Sequence, residues 1–473
     1  MKKCFPASLF SLIMLWCMAL VLNTGCANII PPGGGPIDSF PPVLLSAIPK
    51  DSATGFTGNK IVLNFNEYVD LQNTFENVVV SPLPKNAPII TNNFRTVSVK
   101  IKDTLEPNTT YAINFGNAIR DINEGNVMKN FTYAFSTGNK LDGNTLSGKV
   151  VLAETGRIDS TLIVVLHRNA DDSAVAKERP RYLAHLDGKG MFKFSYLPSG
   201  SFALYAIPND YSRHYDDSTK PFAFADSLIK TSDSGFVALY AYTLPKIDTA
   251  RKASTNNTND KKAKEEKEKK LRIQPVMFGG KQDVLTNLEI GFNKRIKTID
   301  TTRIILTDTN NRRMTDYAVI ADTTGNRFMI AAKWPFATAY KLIVDSTALV
   351  DSTGQSLSRN DTLVFMTKKS EDYGSIRLRF ANIDLTKNPV LQLVLGDKII
   401  ESVPLLQKEW YRKLFNPGEY DLRILYDKNK NGIWDPGHFF GLHRQPEIVI
   451  TLDTKLSVRA NWDNEKDITL IGN

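Results

Sequence analysis

Cysteine is nearly absent from this chain of 473 residues: Cys4, Cys17 and Cys26 all fall at its very start. Beyond them no thiol remains for a disulfide framework, a zinc site or a nucleophile, so the folded part must be held by its cores. Histidine is scarce too, five in all, and His438 and His443 fit neither a helical ligand pair nor a known zinc spacing. Long apolar runs are missing. The longest, Leu9 to Leu22, has 14 residues, short of the roughly 20 that a spanning helix needs. Glycine-rich phosphate loops, HExxH pairs and GxSxG nucleophile turns do not occur. Charge of one sign does not dominate, with 59 basic against 50 acidic side chains and a formal net of +9.

What the N-terminus does contain is a basic start at Lys2 and Lys3, the short apolar run, and the small-residue site Asn23-Thr24-Gly25 before Cys26. That layout predicts a signal peptide over 1–25 and export. Gly25-Cys26 resembles the lipobox of bacterial lipoproteins, which implies lipidation of Cys26 and a membrane partner reached through the lipid anchor. The Pro- and Gly-rich stretch that follows reads as a tether over 26–41. This start also resembles that of many Bacteroidetes lipoproteins. Ala27 follows the cysteine, where an aspartate would imply inner-membrane retention by that resemblance. The expected location is the outer membrane, facing the periplasm, with the cell surface as the alternative.

From Pro42 onward short alternating runs are separated by turn signals. Ile61, Leu63 and Phe65 alternate with polar or outward positions, as do Val97, Val99 and Ile101. Period-two patterning rich in β-branched and aromatic residues argues for antiparallel strands with one buried face. The fold class is all-β, as tandem β-sandwiches.

The two halves repeat at an interval of about 220 to 230 residues. Leu63-Asn64-Phe65-Asn66 corresponds to Ile290-Gly291-Phe292-Asn293, Asp121 with Gly125 to Asp351 with Gly354, and Phe135-Ser136-Thr137 to Phe365-Met366-Thr367. These segments resemble bacterial Ig-like domains of S-layer type, over 42–140 and more weakly over 274–368. After each comes a strand, a Pro/Gly turn and another strand: Met191 to Ala206 in the first half, Leu414 to Ile424 in the second. Those modules, 144–247 and 372–470, resemble the transthyretin-like domain found beside carboxypeptidases, which implies a sandwich without catalytic residues.

A linker is expected over 248–273. From Arg251 to Arg272 it holds nine basic and four acidic residues and no aromatic, the composition of a solvated spacer. With Lys2 and Lys3 lost to the signal, this spacer carries most of the net charge. The folded modules are nearly neutral, and a nucleic-acid partner loses its support.

One local motif points to chemistry. In Asp427-Lys428-Asn429-Lys430-Asn431-Gly432-Ile433-Trp434-Asp435 the side-chain oxygens of Asp427, Asn429, Asn431 and Asp435, with Ile433 as a backbone-carbonyl position and Gly432 at the sharp turn, follow a calcium-loop pattern. His438 stands where the pattern wants a bidentate glutamate, and an asparagine-rich turn with Trp434 packed on the sandwich edge is the structural alternative. No catalytic set and no other cofactor is indicated. The function expected is a non-enzymatic, lipid-anchored envelope scaffold forming a stalk. Its partners would be other envelope proteins or polysaccharide, met through exposed aromatics such as Tyr211, Tyr215 and Trp434. The alternatives are a glycan-processing enzyme or accessory subunit, with two carboxylates about 5 to 9.5 Å apart, and a calcium-stiffened adhesin.

Overall fold

A computed structural model describes residues 37–244 and 270–470, apart from positions 211, 234 and 278, together with positions 14 and 16. Most of the signal peptide, Cys26, Tyr211 and most of the linker lie outside the described residues. The described chain is nearly all β, as the alternating patterns require. It forms two compact units: residues through Gly143 with Ser195–Pro198, and Asn144 onward without that short segment.

In the first unit the antiparallel sheet Leu44–Ile48, Lys60–Phe65, Thr96–Lys100, Ile89–Asn93 faces the sheet Val79–Ser81, Thr110–Asn114, Thr132–Ser136. The expected inward set is inward: Ile61, Leu63, Phe65, Val97 and Val99 meet Ile113, Tyr133 and Phe135 in one buried cluster. A small pair, Val69–Leu71 with Ile119–Asp121, ends on buried Asp121. Its carboxylate accepts from the backbone N–H groups of Glu124 (2.7 Å), Gly125 (2.8 Å) and Asn126 (2.8 Å), which replace the water it has lost. Burial opposes ionisation, but those three bonds outweigh it and hold the carboxyl below its ordinary value.

The second unit begins with a sandwich in which Asn144–Leu152 lies between Met191–Leu197 and, in parallel, Phe236–Ala241. Its other sheet runs Tyr182–His185, Leu162–His167, Ser201–Pro208, Ala223–Phe224. The sandwich of 273–367 repeats the first unit's plan, down to the pair Ile296–Ile299 with Leu349–Asp351. Its buried Asp351 accepts from the Thr353 hydroxyl (2.7 Å) and the Thr353 and Gln355 amides (2.8 Å each) and faces Lys294 at 3.5 Å. The Thr353 hydroxyl first, then those amides and Lys294, hold its carboxyl down at about 2. The sandwich of 374–469 again sets its opening strand, Gly374–Ala381, parallel to its last, Asp463–Thr469.

Two strands depart from the alternating expectation. All six residues of Leu162–His167 are buried, as are the first six of Pro389–Leu395. Such strands need cover on both faces. Chain from elsewhere in the second unit supplies it, as the next section describes.

A polar joint links the sandwiches of 273–367 and 374–469. Asp283 accepts from the Tyr373 hydroxyl (2.7 Å), the Asn416 amide (2.6 Å) and the Leu285 N–H (2.9 Å), with Lys368 3.7 Å away. Lys368, buried, also donates to Asn416 Oδ1 (2.7 Å) and lies over the Tyr373 ring. At the position matching Lys368 the first repeat has Gly138, so the joint belongs to the second pair alone. Burial works against the Asp283 charge, yet the Leu285, Tyr373 and Asn416 bonds and Lys368 hold its carboxyl below 3.8. Asp283→Ala removes the acceptor of three donors and the carboxylate facing the buried Lys368 ammonium, and should lower the stability of the second unit by about 2 to 4 kcal/mol in a urea titration at neutral pH. Because the folded value is depressed, this advantage is complete above the unfolded value and is lost as pH falls through the folded one. Wild type and variant should therefore converge in acid.

Candidate functional site: a hydrogen-bonded loop and an aromatic joint

The five residues of the calcium-loop pattern do come together, as a turn closed on itself. Asp427 ends its strand buried, and its two oxygens accept from the Lys430 N–H (2.6 Å) and the Gly432 N–H (2.7 Å). Gly432, at φ 76°, takes the left-handed turn that glycine adopts without strain. Asn429 Oδ1 accepts from the Asn431 N–H and Asn431 Oδ1 from the Ile433 N–H, while both side-chain amides donate to Asp435 Oδ2 at 2.6 and 2.8 Å. The Ile433 side chain is exposed.

The acid missing at the twelfth position comes from Glu447. Its buried carboxylate accepts from the Lys428 N–H (2.6 Å) and the Asp435 N–H (3.1 Å), bracing both ends of the turn. Burial, with Asp427 and Asp435 close by, pushes its carboxyl above the ordinary range against those two bonds. No sequence spacing signalled Glu447, since it arrives from beyond an intervening loop. Two amide NH₂ groups thus stand against Asp435 where a cation would want oxygens. As arranged, the set does not present a calcium cage, and both amides would have to turn over to make one. Among the described residues no three His, Cys, Asp or Glu side chains are grouped as a metal site requires.

Trp434 is no exposed platform. Its indole N–H donates to the Glu447 carbonyl (2.8 Å), and its ring packs on Val390, Leu425 and Val449, covering the outer face of Pro389–Leu395. Trp434 is half-buried by this packing, and Tyr215 is buried, stacked on Phe222 with ring centroids 4.0 Å apart. Both expectations of exposure are corrected for one reason: apolar area on the outer face of a sheet was available to cover the rings.

The turn continues into a loop, Pro436–Pro446, that joins two sandwiches distant in sequence. Reciprocal backbone bonds between His438 and Arg444 (2.7 and 2.8 Å) close it. Phe439 then inserts, 4% exposed, among Tyr205, Phe222 and Phe224 at centroid distances of 5.5, 5.3 and 4.9 Å. These aromatics come from the second sheet of the 144–241 sandwich, and Phe439 supplies part of the outer cover that its buried strands need. Gly437 lies flat on the Tyr242 ring, where a Cβ would come within 2.6 Å of it. Around the plug Gln445 donates to the Phe224 carbonyl (2.9 Å) and His443 Nε2 meets Asp172 (2.9 Å). The Val449 amide bonds the Ala153 carbonyl (2.8 Å), which occupies the start of the edge strand Ile448–Val458. In the stalk expectation each sandwich meets only its sequence neighbours; here the 144–241 and 374–469 sandwiches pack together.

The histidines occupy separate, unlike settings. His167, buried against Tyr205, is pushed down to about 4 by burial and stays neutral. His438 is exposed and bonded through its backbone. Two carboxylates, Glu289 and Asp322, line an open groove of about 640 Å³. Both grip Arg327, at 2.8 and 3.4 Å. The Thr324 hydroxyl first, then its amide and Arg327, keep the Asp322 carboxyl below its ordinary value, opposite to what a general acid needs.

Residues 38–137 match the family model of the bacterial Ig-like domain. No curated protein matches the chain. Among solved structures, the TIE protein of Bacillus anthracis is 10% identical, with 93% of this chain and 76% of that one covered and a TM-score of 0.17. BcpA, the major pilin subunit of Bacillus cereus, is 13% identical over 69% of this chain and 99% of its own, with a TM-score of 0.16. The N-terminal part of the bacterial S-layer protein SbsC is 14% identical over 36% and 41%, also at 0.16. TM-scores so far below one half do not establish a common arrangement.

Truncating the plug tests the joint. Phe439→Ala should lower the stability of the second unit by about 3 to 5 kcal/mol in chemical denaturation, because a filled aromatic site cannot collapse around the missing ring.

Proposed function

We propose that the protein is a non-enzymatic, lipid-anchored scaffold of the cell envelope, built of β-sandwiches that hold binding surfaces in place. The observation that carries this reading is the aromatic joint at Phe439, which ties sandwiches remote in sequence into one unit without disulfides. Investment in stiffness with polar groups consumed in bracing loops suits a structural role. The engaged state of Glu289 and Asp322 weighs against a glycan-processing enzyme. Its partners would be other envelope proteins or polysaccharide, and lipid at Cys26 would attach the chain to the outer membrane, facing the periplasm. In fractionated cells the wild-type protein should sediment with the outer membrane and Cys26→Ser should appear in the soluble periplasmic fraction. Retention of the variant in the membrane would overturn the anchor.

The calcium reading has one observation in its favour, the negative charge that Asp427 and Asp435 bring near Glu447, though the three are not grouped as a metal site requires. If the loop is a calcium site, millimolar Ca²⁺ should raise the melting temperature of the protein and Asp427→Asn should abolish the rise. If the hydrogen-bonded turn is complete by itself, calcium should leave melting unchanged.

A further inference from the structure

The sandwiches of 44–136 and 273–367 share three backbone hydrogen bonds that align them residue by residue. The Val69 amide bonds the Phe94 carbonyl (2.9 Å) as the Ile296 amide bonds the Gly325 carbonyl (2.7 Å). The Phe65 amide bonds the Arg95 carbonyl (2.8 Å) as the Phe292 amide bonds that of Asn326 (3.1 Å). The Ile122 amide bonds the Tyr68 carbonyl (3.2 Å) as the Ser352 amide bonds that of Arg295 (3.0 Å). One framework therefore carries Gly325, Arg295 and Ser352 in the later copy, and Phe94, Tyr68 and Ile122 in the earlier one. The fold needs none of these three apolar side chains.

Phe94 also sits where it should not. It is the first residue of the two-residue turn between Ile89–Asn93 and Thr96–Lys100, with φ at +54°, in a conformation that the later copy gives to glycine at +70°. A bulky side chain at such an angle is strained. Its ring gains no burial in exchange, being 71% exposed, beside Tyr68 at 49% and Ile122 at 56%. The Phe94 and Tyr68 rings lie 5.7 Å apart, and the Arg95 guanidinium is 5.2 Å from the Tyr68 ring centre. The segment from Asp38 to Val43 adjoins through Asn126, whose amide donates to the Asp38 carbonyl, and through Asn66. It adds the exposed Phe40.

The rim is acidic. Burial, then Asp121, Asp38 and Glu124, push the Glu67 carboxyl up, with Arg95 opposing them. In the later copy the residue aligned with Glu67 is Lys294, which neutralises Asp351. The earlier copy thus replaces a cation with an anion beside its apolar patch.

We propose that Phe94, Tyr68 and Ile122 form a docking surface for a protein segment bearing apolar and cationic side chains. Apolar side chains of the partner would cover the rings, and its lysines or arginines would meet Glu67, Glu124 and Asp38. The same negative rim repels anionic lipid, which argues against a membrane as occupant, and the aliphatic Ile122 offers nothing to a sugar ring. The inference deepens the scaffold reading and rests on it. It is read by binding alone, so its failure would leave the Cys26 fractionation result untouched.

The test uses the full chain and a synthetic octapeptide of alternating lysine and phenylalanine. Lysine–serine and glutamate–phenylalanine peptides, a neutral polysaccharide and vesicles of anionic lipid serve as comparisons. The lysine–phenylalanine peptide should bind, more weakly as salt rises, and Phe94→Gly and Glu67→Lys should each weaken it about tenfold. Because glycine relieves the turn, Phe94→Gly should keep or raise the melting temperature of the first unit. Absence of binding would overturn the proposal. So would equal binding of the glutamate–phenylalanine peptide, a preference for polysaccharide or vesicles that depends on Phe94, or a Phe94→Gly protein that melts earlier and binds unchanged.

Discussion

The second unit depends on one aromatic insertion. Phe439 enters a pocket of Tyr205, Phe222 and Phe224, and around it loop backbone, Gln445, His443 and the Ala153 carbonyl find partners. Without it the sheet of Leu162–His167 and Ser201–Pro208 would expose an apolar outer face, a combination isolated sandwiches avoid. The insertion solves two problems at once. It covers that face, and it occupies the start of the edge strand Ile448–Val458, where unpaired backbone groups invite aggregation.

Elsewhere, buried carboxylates are held by local networks of hydrogen bonds and cations. Asp121 and Asp351 each close a turn through backbone amides, and Asp283 unites Tyr373, Asn416 and Lys368 across a junction. Glu447 braces the loop that starts at Asp427. A chain without disulfides between its sandwiches gains definition from such networks, because a buried carboxylate held by several donors tolerates few alternative geometries. The sandwiches of 44–136 and 273–367 show how loosely the framework constrains what lies on it. The same hydrogen bonds carry Lys294, Arg295 and Gly325 in one and Glu67, Tyr68 and Phe94 in the other.

Much of the fold was legible. Period two at Ile61, Leu63 and Phe65 named the inward face, and the spacing of Asp121 and Asp351 with their glycines marked corresponding turns. The candidate loop was legible as a turn around Asp427, but its bracing acid was not, since Glu447 follows the inserted loop and no local spacing links it to the motif. Tyr215 and Trp434 were read as exposed because loop aromatics often are. A signal against that was available: the uninterrupted runs Leu162-Ile163-Val164-Val165-Leu166 and Val390-Leu391 with Leu393-Val394-Leu395 are too apolar for one-sided strands, and imply that something must cover them.

The sequence by itself determined the all-β class, the inward faces and the correspondence of its two repeated segments, because those follow from side-chain alternation and local turn chemistry, which act over a few residues. Only the tertiary structure decided which sandwich covers which. The partner of an apolar outer face is chosen by shape and by what else reaches it, and Phe439 is more than 200 positions from the pocket it fills. It also decided that Phe94 stands strained and uncovered where its counterpart is glycine, a fact that resides in a backbone angle and an exposed ring.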